Sequence, residues 1–192
     1  MSRLFWVRHG PTHQKAFTGW RDVPADLGDR AALARLDAAL PAGSVLVASD
    51  LVRASHTADA LGAGRLRLPD RADLREFHFG DWDGRHFSDV AGTDPDLSRA
   101  YWERPGDVAP PGGESWHAAA RRVDAAEAEL LAAHPGRDVI VVAHLGVILT
   151  RWAAATGRTP EEAIGQHVAP LSITEIHHGP GGARGIAVNR IA

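Results

Sequence analysis

The sequence contains no cysteine. That absence excludes a disulfide framework, thiolate chemistry and any zinc site built on Cys ligands. Lysine is nearly absent too: Lys15 stands alone, and the other 20 of the 21 basic residues are arginine. No long apolar run occurs. Leu4–Val7 is far too short for a signal peptide or for a membrane span, which takes about 20 residues. A cytoplasmic protein without a membrane partner is therefore expected. No charge block, internal repeat or low-complexity linker divides the chain. With 24 acidic residues the net charge is −3, which offers no electrostatic footprint for nucleic acid. What is present is 192 residues, 44% hydrophobic and 23% charged. That length and balance suit one globular domain spanning residues 1–192.

Arg3–Arg8 reads as a buried strand, cut off by His9-Gly10-Pro11, and residues 11–27 read as a long loop. Further strands are expected at 44–48, 65–68 and 138–143. Helices are expected at 31–40, from an N-cap at Ser49-Asp50 to Leu61, over 114–133 and over 146–155. Residues 69–113 read as irregular chain with short helices. Strands at 172–177 and 185–190 form a hairpin around Gly179-Pro-Gly-Gly182. This alternation implies an α/β fold, a three-layer α/β/α arrangement on a mostly parallel central sheet.

In such sheets, sites form beyond the carboxyl ends of the strands. Three strand ends deliver Arg8-His9, Arg53 in the first turn of the following helix, and His144. One arginine there reads as a surface ion pair, and one histidine as structural. Three ends agreeing on cationic and imidazole groups suit a phosphate, which guanidinium groups and helix N-termini both bind.

These residues sit in motifs that resemble the histidine phosphatase superfamily, which includes the cofactor-dependent phosphoglycerate mutases. The motifs are Leu4-Phe-Trp-Val-Arg-His-Gly-Pro-Thr12, Ser49-Asp-Leu-Val-Arg-Ala-Ser-His-Thr-Ala58, Leu74-Arg-Glu-Phe-His-Phe-Gly-Asp-Trp-Asp-Gly84, Pro111-Gly-Gly-Glu-Ser115 and Val142-Ala-His-Leu-Gly146. They come in the family's order. The resemblance implies the phosphoglycerate mutase-like fold, with His9 as a nucleophile that becomes phosphohistidine. Arg8, Arg53 and His144 would hold the phosphoryl oxygens, and Glu76 would be the general acid and base. A neutral imidazole is nucleophilic near pH 7, and a phosphorylated nitrogen is a labile donor to water.

Substrate contacts are further expected from Thr12, Lys15, Gly19, Glu114, Ser115 and Leu145. Lys15 either adds a cation to the pocket or points to water. Glu114 either faces the pocket or favours the helix macrodipole. His177-His178 and the scattered Asp81, Asp83 and His86 have no metal-ligand spacing, so neither metal nor other cofactor is expected.

Mutases of the family carry an arginine after the catalytic glutamate and a tyrosine two positions further on, where this chain has Phe77 and Phe79. It also has Glu103 where they carry one of a pair of arginines. The stretch Glu76–Gly84 resembles the phosphatase branch, including the α-ribazole phosphatases. Hydrolysis of a small phosphorylated metabolite is the leading expectation. A mutase, for which His78 is retained, and a non-catalytic binder of phospho-ligands remain open. Specificity is expected in residues 82–113, with Phe87, Tyr101 and Trp102 as walls for an apolar or aromatic leaving group.

Overall fold

The strands of the central sheet are, in chain order, β1 (Ser2–Arg8), β2 (Val45–Ala48), β3 (Leu66–Arg67), β4 (Asp138–Ala143), β5 (Ile173–Gly179) and β6 (Gly182–Arg190). The computed structural model describes residues 1–62 and 64–192. Side chains alternate along each inner strand: Leu4 and Trp6 of β1 turn to one face, Phe5 and Val7 to the other. β2 and β4 repeat the pattern, with Val45, Val47, Val139 and Val141 on the first face and Leu46, Ala48, Ile140 and Val142 on the second. Strands covered on both faces must be apolar throughout, which is why these segments read as unbroken hydrophobic runs. Each such side chain, fully buried, contributes about 1.5–3 kcal/mol.

The helices are α1 (Arg30–Ala39), α2 (Val52–Ala60), α3 (Phe87–Thr93), α4 (Pro95–Glu103), α5 (Trp116–Ala133), α6 (Leu145–Thr156) and α7 (Pro160–Ala163). α1 and α2 cover the Phe5 face, through Leu36, Ala54 and Ala58. α5 and α6 cover the Trp6 face, through Val123, Leu130, Val147 and Ile148. The sheet order is β3-β2-β4-β1-β5-β6. The first four strands are parallel, while β5 runs antiparallel to β1 and β6 antiparallel to β5. This is the three-layer, mostly parallel α/β/α arrangement expected from the sequence.

Several local expectations are corrected. Ser49-Asp50 does not cap α2: Leu51 holds the cap position, and Asp22 Oδ1 accepts from the Val52 N–H at 2.7 Å. Asp50 is drawn away by Arg75, which donates to both its oxygens at 2.7 and 2.6 Å. Two charge-assisted bonds outcompete one cap bond. The longest helix starts at Trp116 rather than at Glu114, because Ser115 Oγ caps the Ala118 N–H at 3.2 Å. The final hairpin is tighter than expected, its strands reaching Gly179 and Gly182, where Gly182 adopts a φ of +94°. Helix α7 was not foreseen, although Thr159-Pro-Glu-Glu162 spells the capping box that starts it. The short helices expected within residues 69–113 are present, and α3 and α4 close over a cluster of Phe17, Trp82, Val90 and Tyr101.

Register positions the site. Arg8 lies opposite Ala143, and Ala48 opposite Val142, so the three strands end in one row. After that row the chain leaves β1 for α1 on one face and leaves β4 for α6 on the other. A crevice opens where neighbouring strands diverge in this way.

Candidate active site

His9 and His144 are the first residues beyond β1 and β4, and their rings lie 5.1 Å apart, centroid to centroid. The His9 N–H donates to the Ala143 carbonyl at 3.0 Å, which continues the sheet bonding one residue past the strand. Gly10 N donates to Thr57 Oγ1 on α2 at 3.0 Å. His9 Nδ1 lies 2.7 Å from the Gly10 carbonyl. A carbonyl can only accept, so Nδ1 carries the proton and Nε2 keeps its lone pair. Burial, then the Arg53 guanidinium and less strongly Arg8, push the His9 imidazole from 6.5 down to about 3, against the Gly10 bond. The ring is therefore neutral across the physiological range.

Arg53 is buried, and its donors are distributed by the loop that follows β1. Nη2 donates to the Gly19 carbonyl at 2.6 Å and Nη1 to the Arg21 carbonyl at 3.1 Å. Nε donates to His144 Nδ1 at 3.2 Å. A guanidinium cannot accept, so His144 Nδ1 is unprotonated and its Nε2 bears the hydrogen. Burial, with Arg53 and His9 next, holds His144 well below its ordinary value. Among the described residues, buried His144 Nε2 and buried Arg8 Nε have no hydrogen-bond partner. Both are N–H donors, and anionic oxygens are the partners such groups suit. Arg8 is steadied by one bond from Nη1 to the Val168 carbonyl at 2.6 Å.

Glu76 follows a single 3-10 turn, Ala72–Leu74, and is buried. Its Oε1 accepts from its neighbour's N–H, that of Phe77, at 2.9 Å, and its Oε2 from the Gly146 N–H at 3.1 Å. A Cβ at Gly146 would stand 2.6 Å from Glu76 Oε1 and 3.0 Å from the Phe77 ring, so a larger residue there would displace the carboxyl. The Glu76 carbonyl accepts from Trp20 Nε1 at 2.8 Å and from Arg122 at 3.3 Å. A cavity of about 220 Å³ joins these groups, with Arg8, His9, Arg53 and Glu76 in its wall. That is less than the roughly 300–1,000 Å³ of drug-sized sites. A larger hollow of about 300 Å³, near α1 and the last residues, touches none of them. The site candidates gather in the smaller one, where two cations, a neutral imidazole and a carboxyl converge on one space.

A model of the histidine phosphatase superfamily, branch 1, matches residues 4–190. The chain belongs to that family. Its relatives include a bifunctional protein of Mycobacterium tuberculosis, 33% identical over 92% of this chain and 50% of the relative. The chain thus spans about half the length of the first curated relatives it matches. An adenosylcobalamin/α-ribazole phosphatase of Salmonella typhimurium is 32% identical over 76% of this chain and 75% of its own. A 2,3-bisphosphoglycerate-dependent phosphoglycerate mutase of Brucella ovis is 33% identical over 88% of each. The solved structure of YhfR from Bacillus stearothermophilus superposes with a TM-score of 0.91 at 27% identity, covering 100% of this chain and 98% of that one. The family resemblance drawn from the motifs therefore holds, and α-ribazole phosphatases are among its relatives.

In this member of the histidine phosphatase superfamily, Thr12 and Leu145 also line the cavity. The remaining expected substrate contacts stand elsewhere. Lys15 is exposed and outside the lining. Gly19 holds Arg53 through its carbonyl and Asp83 through its N–H. Ser115 caps α5. Glu114 accepts from the His78 N–H at 3.0 Å and pairs with Arg122 at 2.8 Å. Sequence reasoning missed Arg122, which also donates to the Asp73 and Arg75 carbonyls at 2.8 and 3.0 Å and so braces the loop carrying Glu76. No local signal marks an arginine in the middle of a long helix. It missed Asp83 as well, whose two oxygens hold the N–H groups of Gly19 and Arg21. Among the described residues no helix is long and apolar enough to cross a membrane.

Proposed function

We propose that the protein hydrolyses a small phosphomonoester in two steps through phosphohistidine at His9. The observation that carries this reading is the bond from His9 Nδ1–H to the Gly10 carbonyl, on a ring that burial keeps neutral. It leaves Nε2 free to attack at the cavity wall. Arg8 and Arg53 remain cations and sit where the phosphoryl oxygens arrive, with the His144 Nε2–H as a neutral donor. Groups already oriented for a developing charge stabilise the transition state, about 2.7–4 kcal/mol for each donor. In the first step the Nε2–phosphorus bond forms as the ester bond breaks, and Glu76, as general acid, passes a proton to the leaving oxygen. In the second, water attacks phosphohistidine while the Glu76 carboxylate takes up its proton, releasing inorganic phosphate.

Transfer to a second substrate hydroxyl, as in the mutase relative, requires a grip on another anionic group. The lining provides no cation beyond Arg8 and Arg53. His78, the one mutase-like residue, is engaged elsewhere: its Nδ1 accepts from the Gly80 N–H at 3.1 Å, and its ring meets Trp20 edge-on. The substrate is accordingly a small phosphorylated metabolite, as the names of the phosphatase relatives suggest for those proteins.

The test is turnover of p-nitrophenyl phosphate with acid quenching, on wild type and His9→Ala. Wild type yields acid-labile phosphoprotein, and the variant loses that signal with about 10⁴-fold or more of kcat. Full activity in His9→Ala overturns the mechanism.

A further inference from the structure

The general acid locates the leaving group. Glu76 can protonate only an oxygen within hydrogen-bond reach, so the departing alcohol lies against whatever surrounds Glu76. On the main cavity that surrounding is Phe17, Phe79, Phe87 and Trp102. A second, smaller hollow of about 90 Å³ shares Glu76, Phe79, Trp102 and Leu145 with it, and Phe77, Tyr101, Trp116 and Ile164 are among its other walls. Apart from Glu76 and the Tyr101 hydroxyl, its lining side chains are hydrocarbon or indole.

Two of the aromatic groups are placed as a mouth rather than as core. Phe87, at the start of α3, is 46% exposed, and Trp102, near the end of α4, is 44% exposed. Both bracket buried Phe17, at 4.6 and 6.1 Å between ring centroids, with the Trp102 plane within 19° of parallel. Large apolar faces left open beside a pocket mark a binding surface.

The two cations of this lining, Arg8 and Arg53, are taken up by the phosphoryl group being transferred, and no further cation stands in the wall. Nearby Arg75 pairs with Asp50, and Arg122 with Glu114. A carboxylate or second phosphate on the leaving group would give up water against this wall without gaining a cationic partner, which disfavours it.

We infer that the substrate class is the monophosphate of an apolar or aromatic alcohol carrying no second anionic group. The inference rests on the phosphatase reading above. Phe17, Phe79, Phe87 and Trp102 set the specificity, and Gln14, Thr12 and Thr18 provide neutral polar contacts at the same wall. Together the hollows suit a phosphate with one ring system.

The experiment compares three phosphates of primary alcohols, so that leaving-group reactivity is similar: 2-phenylethyl phosphate, glycerol 3-phosphate and 3-phosphoglycerate. Wild type should prefer 2-phenylethyl phosphate by about tenfold or more in kcat/KM, carried by KM. Trp102→Ala and Phe87→Ala should each shrink that preference about threefold or more, since the ring loses a packing surface. Both side chains are half exposed, and the cluster of Phe17, Trp82, Val90 and Tyr101 stays in place. Equal or better use of 3-phosphoglycerate overturns the inference, as does a preference that neither variant changes. Acid-quenched phosphoprotein from p-nitrophenyl phosphate separates the two levels. If it forms while the preference is absent, the substrate class alone is wrong. If it never forms, both readings fall.

Discussion

Arg53 and His144 are joined by a bond from Nε to Nδ1 of 3.2 Å, across 91 residues of sequence. That bond makes the arginine more than a positive charge: it selects the tautomer in which His144 Nε2 is a donor. The same guanidinium ties down Gly19 and Arg21, so the loop after β1, the start of α2 and the end of β4 are held by one side chain.

Arg53→Lys keeps the charge but removes the planar Nε–H donor. We expect kcat to fall about 10²–10³-fold, the loss typical of one preorganised donor. Steady-state kinetics check the fall, and ¹⁵N NMR of His144 checks the tautomer. Activity within twofold of wild type would show that charge alone suffices.

Gly146→Ala places a methyl group 2.6 Å from Glu76 Oε1. The carboxyl must move, and its bond to the residue-146 N–H with it. Turnover of alkyl phosphates, whose leaving groups need a proton, should drop about 10²-fold or more. p-Nitrophenyl phosphate, with a good leaving group, should suffer far less. Equal losses on both would remove Glu76 from the role of acid.

Buried neutral histidines make stability depend on pH. His9 is held near 3 in the folded protein, against 6.5 when unfolded, and His144 is lowered as well. Between those values the unfolded chain binds more protons, so stability rises with pH through that window and is lost as pH falls below about 6.5. Each group contributes up to about 1.4 kcal/mol per pH unit. Urea unfolding from pH 4.5 to 7 should show a shallower rise for His9→Ala than for wild type. Identical slopes would refute the neutral, buried ring.

Glu127 works in the opposite direction. It is buried between α5, α6 and β5, and burial with the nearby Asp124 raises it from 4.5 to about 7, against the pull of Arg151 at 3.7 Å. His178 lies 3.4 Å away. Here the folded form binds the extra proton, so this contribution is present below pH 4.5 and fades as pH rises to 7. Glu127→Gln removes the dependence. Relative to wild type the variant should gain up to about 1.4 kcal/mol per pH unit across that window. Unfolding curves at pH 5 and pH 8 suffice; a difference that does not grow with pH contradicts the raised carboxyl.

Much of this was legible in the residues alone. The apolar runs at β1, β2 and β4 suit strands covered on both faces, and their shortness between turn residues favours a strand over a buried helix. Arg8 ends β1, His9 and His144 come next after β1 and β4, and Arg53 lies in the first turn of the helix after β2, so the topology of a parallel sheet carries them to one edge. The motifs then place the chain in its family. Local chemistry was less readable where competition decided it: Asp50 was a plausible cap until Arg75, 25 residues on, claimed both its oxygens.

Only the tertiary structure decides how the site groups are held. The tautomer of His144 depends on a guanidinium 91 residues away, and the second bond to Glu76 on an N–H 70 residues away. Lys15, equally open as pocket cation or solvent residue, proves to lie outside the cavity wall. Hydrogen-bond partners drawn from distant segments leave no periodicity in the sequence. They are set when the sheet brings its strand ends together, because a buried polar group must take whichever partner the packed neighbours present.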